Sequence, residues 1–134
     1  MKKFINVIVL AMAFVLVFAT LASCGKSIDS ITKKAEKEGY DVEEVKTSTP
    51  YISAFNAALL LKGEDGQIES VIEITNETDD DIFLAEVYEF DKASAAKTFV
   101  EIYENFYELG DNEVIESSGK CVIVGDKEIV EAIW

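Results

Sequence analysis

Residues 82–109 read Ile-Phe-Leu-Ala-Glu-Val-Tyr-Glu-Phe-Asp-Lys-Ala-Ser-Ala-Ala-Lys-Thr-Phe-Val-Glu-Ile-Tyr-Glu-Asn-Phe-Tyr-Glu-Leu. They decide the fold, because the hydrophobic period changes inside them from that of a strand to that of a helix. Ile82 to Phe90 alternates well enough to be a strand. From Lys92 to Leu109 the apolar positions Ala95, Ala96, Phe99, Val100, Ile102, Tyr103, Phe106 and Tyr107 form the broad stripe of a core-facing helix. Asp91 is the expected N-cap and Gly110 the expected stop. Upstream, Ile68, Val71, Ile72 and Ile74 mark a strand from Ile68 to Thr75, and residues 76–81 form a polar turn. The resulting hairpin is expected at the centre of the sheet.

Working outward, Ile28, Ile31 and Ala35 recur at helical spacing among charged residues, and Gly39 follows as a C-cap. Tyr40 to Thr47 reads as a short strand closed by Ser48-Thr49-Pro50. Tyr51 to Leu61 has two readings. One is a helix capped at Thr49 with Pro50 in its first turn. The other is a strand paired through Glu64-Asp65-Gly66-Gln67, since Asp-Gly between apolar runs is a hairpin cue. The Ala and Leu content favours the helix. On the C-terminal side, Glu113 to Ser117 and Lys120 to Val124 flank Ser118-Gly119 as a second hairpin. Gly125-Asp126 then caps a final helix bearing Ile129, Val130, Ile133 and Trp134. The expected fold class is α+β: a two-layer sandwich, with a mainly antiparallel sheet of about four or five strands and helices on one face.

The N-terminal end has a different character. Lys2 and Lys3 precede Phe4 to Ala22, nineteen positions with only Asn6 and Thr20 polar. A positive start, an apolar run and small residues beyond it have the three parts of a secretory signal peptide. The run ends in Leu21-Ala22-Ser23-Cys24-Gly25, which resembles the lipobox of bacterial lipoproteins. That resemblance implies a diacylglycerol thioether on Cys24, cleavage just before it and acylation of the new amino end. Two or three acyl chains give durable attachment where one is marginal. An uncleaved transmembrane helix remains open, since nineteen residues approach the roughly 20 that span a bilayer. Under either reading Lys2 and Lys3 hold the amino end inside, and the rest faces outward. The expected organisation is a signal peptide over residues 1–23, a tether over 24–27 and one domain over 28–134.

From Ile82 onward, the order of strand, Phe90-Asp91, Ala-rich helix, a Gly-Lys-x-Val-x-x-Gly arm at Gly119 to Gly125 and a closing helix is similar to small lipoproteins of unknown function in Gram-positive bacteria. The likeness implies a fold and a place on the outer face of the cell membrane; it implies no activity.

Composition narrows the chemistry. The chain of 134 residues holds 26 acids, 12 bases and no His. Removing the leader takes away two lysines and no acid, which leaves 111 residues with a net charge of −16. There is no Arg. Nucleic acid is therefore excluded as an expected partner, because neutralising phosphates needs clustered cations. The lack of His excludes imidazole acid–base chemistry and imidazole metal sites. Cys121, with Cys24 acylated, has no disulfide partner and reads as a buried strand thiol. Asp79-Asp80-Asp81 lacks the spacing of a calcium loop and reads as a solvated turn. No cofactor or metal is expected. The aromatic stripe 99, 103, 106 and 107 cannot all share one direction, so Tyr103 and Tyr107 are the candidate partner contacts.

Three functional classes stay open. The first is a non-catalytic, membrane-anchored module that binds a basic envelope protein or a cationic ligand. The second is an accessory small-molecule-binding subunit of a transporter, although one domain of this size cannot form a two-lobed clamp. The third is a hydrolase that uses only carboxylates, which needs two acids facing each other in a cleft.

Overall fold

The computed structural model describes residues 26–134. The element order is α1 (Ile28–Lys37), β1 (Asp41–Val45), α2 (Pro50–Leu61), β2 (Ile68–Glu77), β3 (Ile82–Phe90), α3 (Ala93–Phe106), β4 (Glu113–Ser118), β5 (Cys121–Asp126) and α4 (Lys127–Ile133). Five antiparallel strands form one sheet in the order β1-β2-β3-β5-β4, an α+β fold as expected. β3 is the middle strand. It pairs with β2 from Glu77↔Ile82 at one end to Ile68↔Phe90 at the other, and with β5 from Ala85↔Gly125 to Glu89↔Cys121.

The helices are the correction. They lie in pairs on both faces of the sheet, rather than together on one. Ile52, Phe55 and Leu59 of α2 and Ala95, Ala96, Phe99 and Ile102 of α3 pack against Val71, Tyr88, Phe90, Val122 and Val124. Ile31 and Ala35 of α1 and Ile129, Val130 and Ile133 of α4 pack against Ile72, Ile74, Ala85, Val87 and Ile123. The physical reason lies in the strands. On β3, Val87 and Tyr88 point to opposite faces and are both buried, so each face needs a cover. The sheet is thus the middle of three layers.

Local chemistry fits most of the elements. α1 is capped by Ser27, whose Oγ accepts a hydrogen bond from the Ser30 amide at 3.3 Å, so Ser27 belongs to the helix and not to a free tether. α2 is the helix the Ala and Leu content favours, with Pro50 at its start. Thr49 sits at its N-cap position but its hydroxyl donates to the Lys46 carbonyl at 2.6 Å instead of capping. The rival hairpin through Asp65-Gly66 does not form. Gly66 instead lies where a Cβ would come within 2.6 Å of the Ala95 Cβ, so only a glycine lets the loop cross the start of α3.

Two boundaries of the long helix also differ. Asp91 does not cap α3; its Oδ1 accepts from the Gln67 amide at 2.8 Å and ties the loop before β2 to the end of β3. Lys92, in extended geometry, holds the N-cap position. At the other end α3 stops at Phe106, because Tyr107 is extended at φ −123° and ψ 134°, and Gly110 plays no part. Asp126 is the N-cap residue of α4, yet its side chain accepts from the Leu84 amide at 2.7 Å rather than from the helix.

Phe99 is the centre of the aromatic face. Its ring lies 4.8 Å from that of Phe55, 4.7 Å from Tyr88 and 5.2 Å from Phe90. Truncation leaves a void between α2 and β3 that the rings lining it cannot jointly close. Phe99→Ala is expected to lower the unfolding free energy by about 3–5 kcal/mol, read from the urea midpoint at unchanged slope.

Candidate functional site

The surface singled out by chemistry lies where α2 and α3 run side by side. α3 carries its core residues Ala95, Ala96, Phe99 and Ile102 inward. Its last turn then rotates Tyr103 to a half-buried position and Phe106 outward. Tyr103 and Tyr107 stack at 4.6 Å and 24°, and Phe55 of α2 lies 6.2 Å from Tyr103 and 5.9 Å from Tyr107. Between the helices runs a groove of about 450 Å³, walled by Tyr51, Ala54, Phe55 and Ala58 on one side and Ile102, Phe106 and Tyr107 on the other. Its outer edge is open. Phe106 is 74% exposed and Tyr107 50%.

The lower end of the groove is polar. Tyr51 and Tyr88 both donate their hydroxyls to one carboxylate oxygen, Oε2 of Glu86, each at 3.0 Å. Tyr88 is otherwise fully buried, so this bond satisfies its only side-chain polar atom. Burial, and then the Glu86 charge, push the Tyr51 phenol up to about 12, and the same causes raise Tyr88 further still. Tyr103 is raised by burial and by the charges of Glu86 and Glu113. Beside Glu86 a recess of about 260 Å³ is lined by Leu84, Tyr103, Glu113, Gly125 and Asp126. Along its wall β3 and β5 come together at a glycine: a Cβ on Gly125 would sit 2.4 Å from the Leu84 carbonyl oxygen and the Ala85 Cα.

The arrangement offers aromatic faces next to carboxylates, which suits a cation or a basic side chain with an apolar stem. Glu86 is held by two phenols, and Asp126 accepts from a backbone amide. Among the described residues no group of three or more His, Cys, Asp and Glu side chains is placed to hold a metal ion. The Asp79-Asp80-Asp81 turn is closed by Thr78, whose amide and hydroxyl both donate to the Asp81 carbonyl, at 2.8 and 3.0 Å, and the three carboxylates are exposed.

Of the residues expected to matter, Tyr103 and Tyr107 stack on each other; Tyr107 lines the groove and Tyr103 the recess beside Glu86. Phe106, the most exposed ring of the cluster, falls in the core stripe by helical spacing, and Glu86, the acid that two phenols share, is one of 26 acids that the sequence does not tell apart. The available signal was the stripe's excess width: eight apolar positions are more than one face of an 18-residue helix can bury. Cys121 is fully buried on β5, and burial with Glu89 beside it pushes its thiol up to about 12, which leaves it inert at neutral pH. Leu21, Ala22, Ser23 and Cys24 lie outside the described residues. No helix among the described residues is long and apolar enough to cross a membrane.

No family model matches the chain, and no curated protein and no solved structure is significantly similar to it.

The tyrosine cluster has a titration signature. Below pH 10 the raised phenols are protonated in the folded and unfolded chain alike, so their contribution is intact. As pH climbs from the ordinary tyrosine value of 10.0 through about 12, the unfolded chain ionises first and stability is lost. Absorbance titration at the tyrosinate band is expected to show native Tyr51, Tyr88 and Tyr103 ionising later than in urea, with Tyr88→Phe removing the latest step. Superimposable native and denatured curves would contradict this.

Proposed function

We propose that the chain is an extracytoplasmic lipoprotein, held to the outer face of a bacterial cell membrane by a diacylglycerol-modified Cys24, whose folded domain is a non-catalytic module that binds a basic protein partner. The groove between α2 and α3 is the docking surface. The observation that carries this reading is the pairing of Phe106 and Tyr107, exposed on the open rim, with the acid-lined recess at Glu86, Glu113 and Asp126. Phe106 makes no ring contact with the core, and Tyr107 keeps one face on Tyr103 and Phe55 while the other stays open. Buried aromatic anchors beside charge of the opposite sign are what concentrate binding energy and steer encounter.

A net charge of −16 on 111 residues supports a basic partner through long-range attraction, and it repels anionic surfaces and nucleic acid. The groove's volume is within the range of small-molecule sites, but its rim residues stand open instead of enclosing a ligand, so a protein side chain suits it better.

A photo-crosslinking residue placed at Phe106 in intact cells is expected to capture a basic envelope protein. Phe106→Ser is expected to remove about 2 kcal/mol or more of binding, roughly a thirty-fold loss, without lowering the urea midpoint. Recovery of the domain alone from repeated crosslinking would reject the adaptor role. The anchor is read separately: a clickable fatty acid is expected to label the wild type and not Cys24→Ala, and equal labelling of both rejects it.

A further inference from the structure

The sheet gives the domain two poles. One pole carries Ile68↔Phe90 and the β4–β5 turn at Ser118↔Cys121; the other carries Glu77↔Ile82 and Glu113↔Asp126. The first described residue belongs to the first pole. Lys26 donates to the Trp134 carbonyl and lies over the Trp134 ring at 5.1 Å, while the Ile28 amide donates to Glu89 Oε2 at 3.1 Å. Cys24 is two residues from Lys26, which the chain can span in about 7 Å. Whatever holds Cys24 is therefore held at this pole.

The C-terminal end of α2 reaches the same pole. Glu64, two residues past Lys62, lies 3.2 Å from the Ser94 hydroxyl in the first turn of α3, and Asp65 pairs with Lys92 at 2.7 Å. There α2 presents Leu60 at 66% exposure and Leu61 at 89%. The helix has no charged residue from Pro50 to Leu61, and its outward positions Ser53, Ala57, Leu60 and Leu61 are uncharged at the spacing of one face. Two leucines in water on a helix that could have ended in polar residues need a cover.

Charge divides along the same axis. The far pole gathers Glu77, Asp79, Asp80, Asp81, Asp111, Glu113 and Asp126. The near pole is closer to balance: Lys26, Lys62, Lys92 and Lys120 stand there with Glu64, Asp65, Glu69, Glu89 and Asp91, and Lys92 pairs with Asp65. An anionic bilayer repels the far end more strongly than the near one.

We propose that Leu60 and Leu61 form a membrane-contacting wedge, seated in the headgroup region of the bilayer to which Cys24 is fastened, with Lys62 next to it in the chain and Lys26 and Lys120 elsewhere on the same pole. This rests on the lipoprotein reading above. It makes the attachment two-point and rigid: acyl chains at one corner of the pole, leucines at another, and the aromatic groove facing sideways and away from the lipid. Side chains of an interfacial segment sink about 5–10 Å into the headgroup boundary, a depth that two leucines on a helix end can reach.

The test uses the full lipidated protein in vesicles of phosphatidylglycerol and phosphatidylcholine. Leu61→Cys and Asp80→Cys each receive a polarity-sensitive thiol dye; both positions are exposed, so neither change disturbs the core. The dye at position 61 is expected to emit to the blue and to be quenched by brominated lipid, and the dye at position 80 to do neither. Emission at 61 that matches 80, in a protein carrying acyl mass, overturns the wedge alone. Unsubstituted protein that itself takes up the dye has a free Cys24, because Cys121 is buried; that outcome overturns the lipoprotein reading and the wedge with it.

Discussion

Burial of β3 on both of its faces is the constraint from which the rest follows. Successive side chains of a strand point in opposite directions, and here Ala85, Val87, Tyr88 and Phe90 fill both sides. One helix layer cannot cover two faces. The chain solves this by distributing α1 and α4 to one side and α2 and α3 to the other, with each pair drawn from separate parts of the sequence. The two covers are chemically unlike. The side of α1 and α4 is aliphatic in its buried core, with Ile and Val throughout, whereas the side of α2 and α3 is built around Phe55, Tyr88, Phe90 and Phe99. Large rings bring polar tips and awkward shapes, so an open groove and a buried phenol–carboxylate bond arise on the aromatic side.

The Tyr51–Glu86–Tyr88 arrangement joins fold to surface. Tyr88 needs a hydrogen-bond acceptor because its ring is wholly enclosed, and Glu86, two residues along the same strand face, supplies one. The same oxygen then accepts from Tyr51, which draws the start of α2 onto the sheet. The shared acceptor lets one acid fix a core residue, a helix position and the floor of the groove. The shared carboxylate also keeps negative charge where the recess opens.

Much of this architecture was readable from residues alone. The change of period at Phe90-Asp91, the Ile-rich run after Ile68 and the Gly119 turn each named an element that exists, and α2 followed from Ala and Leu content despite the Asp-Gly cue against it. The distribution of helices was misread, since an apolar stripe such as Ile31 and Ala35 says that a helix has a covered face without saying which side of the sheet covers it. The missed clue was Cys121-Val122-Ile123-Val124, an unbroken apolar run that a one-sided strand would not have. Capping was misjudged at Asp91 and Asp126 for another reason: both acids make longer-range bonds to Gln67 and Leu84, and tertiary partners outcompete local ones. Within the site, Tyr103 and Tyr107 were legible from crowding on the stripe. Phe106 and Glu86 were not, because exposure at a fraying helix end and the pairing of one acid among many are set by three-dimensional placement.

The meeting of Lys26 with Trp134 has a practical corollary. Both ends of the described domain are stitched together at one corner, so a tag or reporter joined behind Trp134 starts beside Lys26 and the residues that lead into the domain. Cargo inserted into the Asp79-Asp80-Asp81 loop leaves from the opposite corner, some nine strand residues away, and projects into open solution.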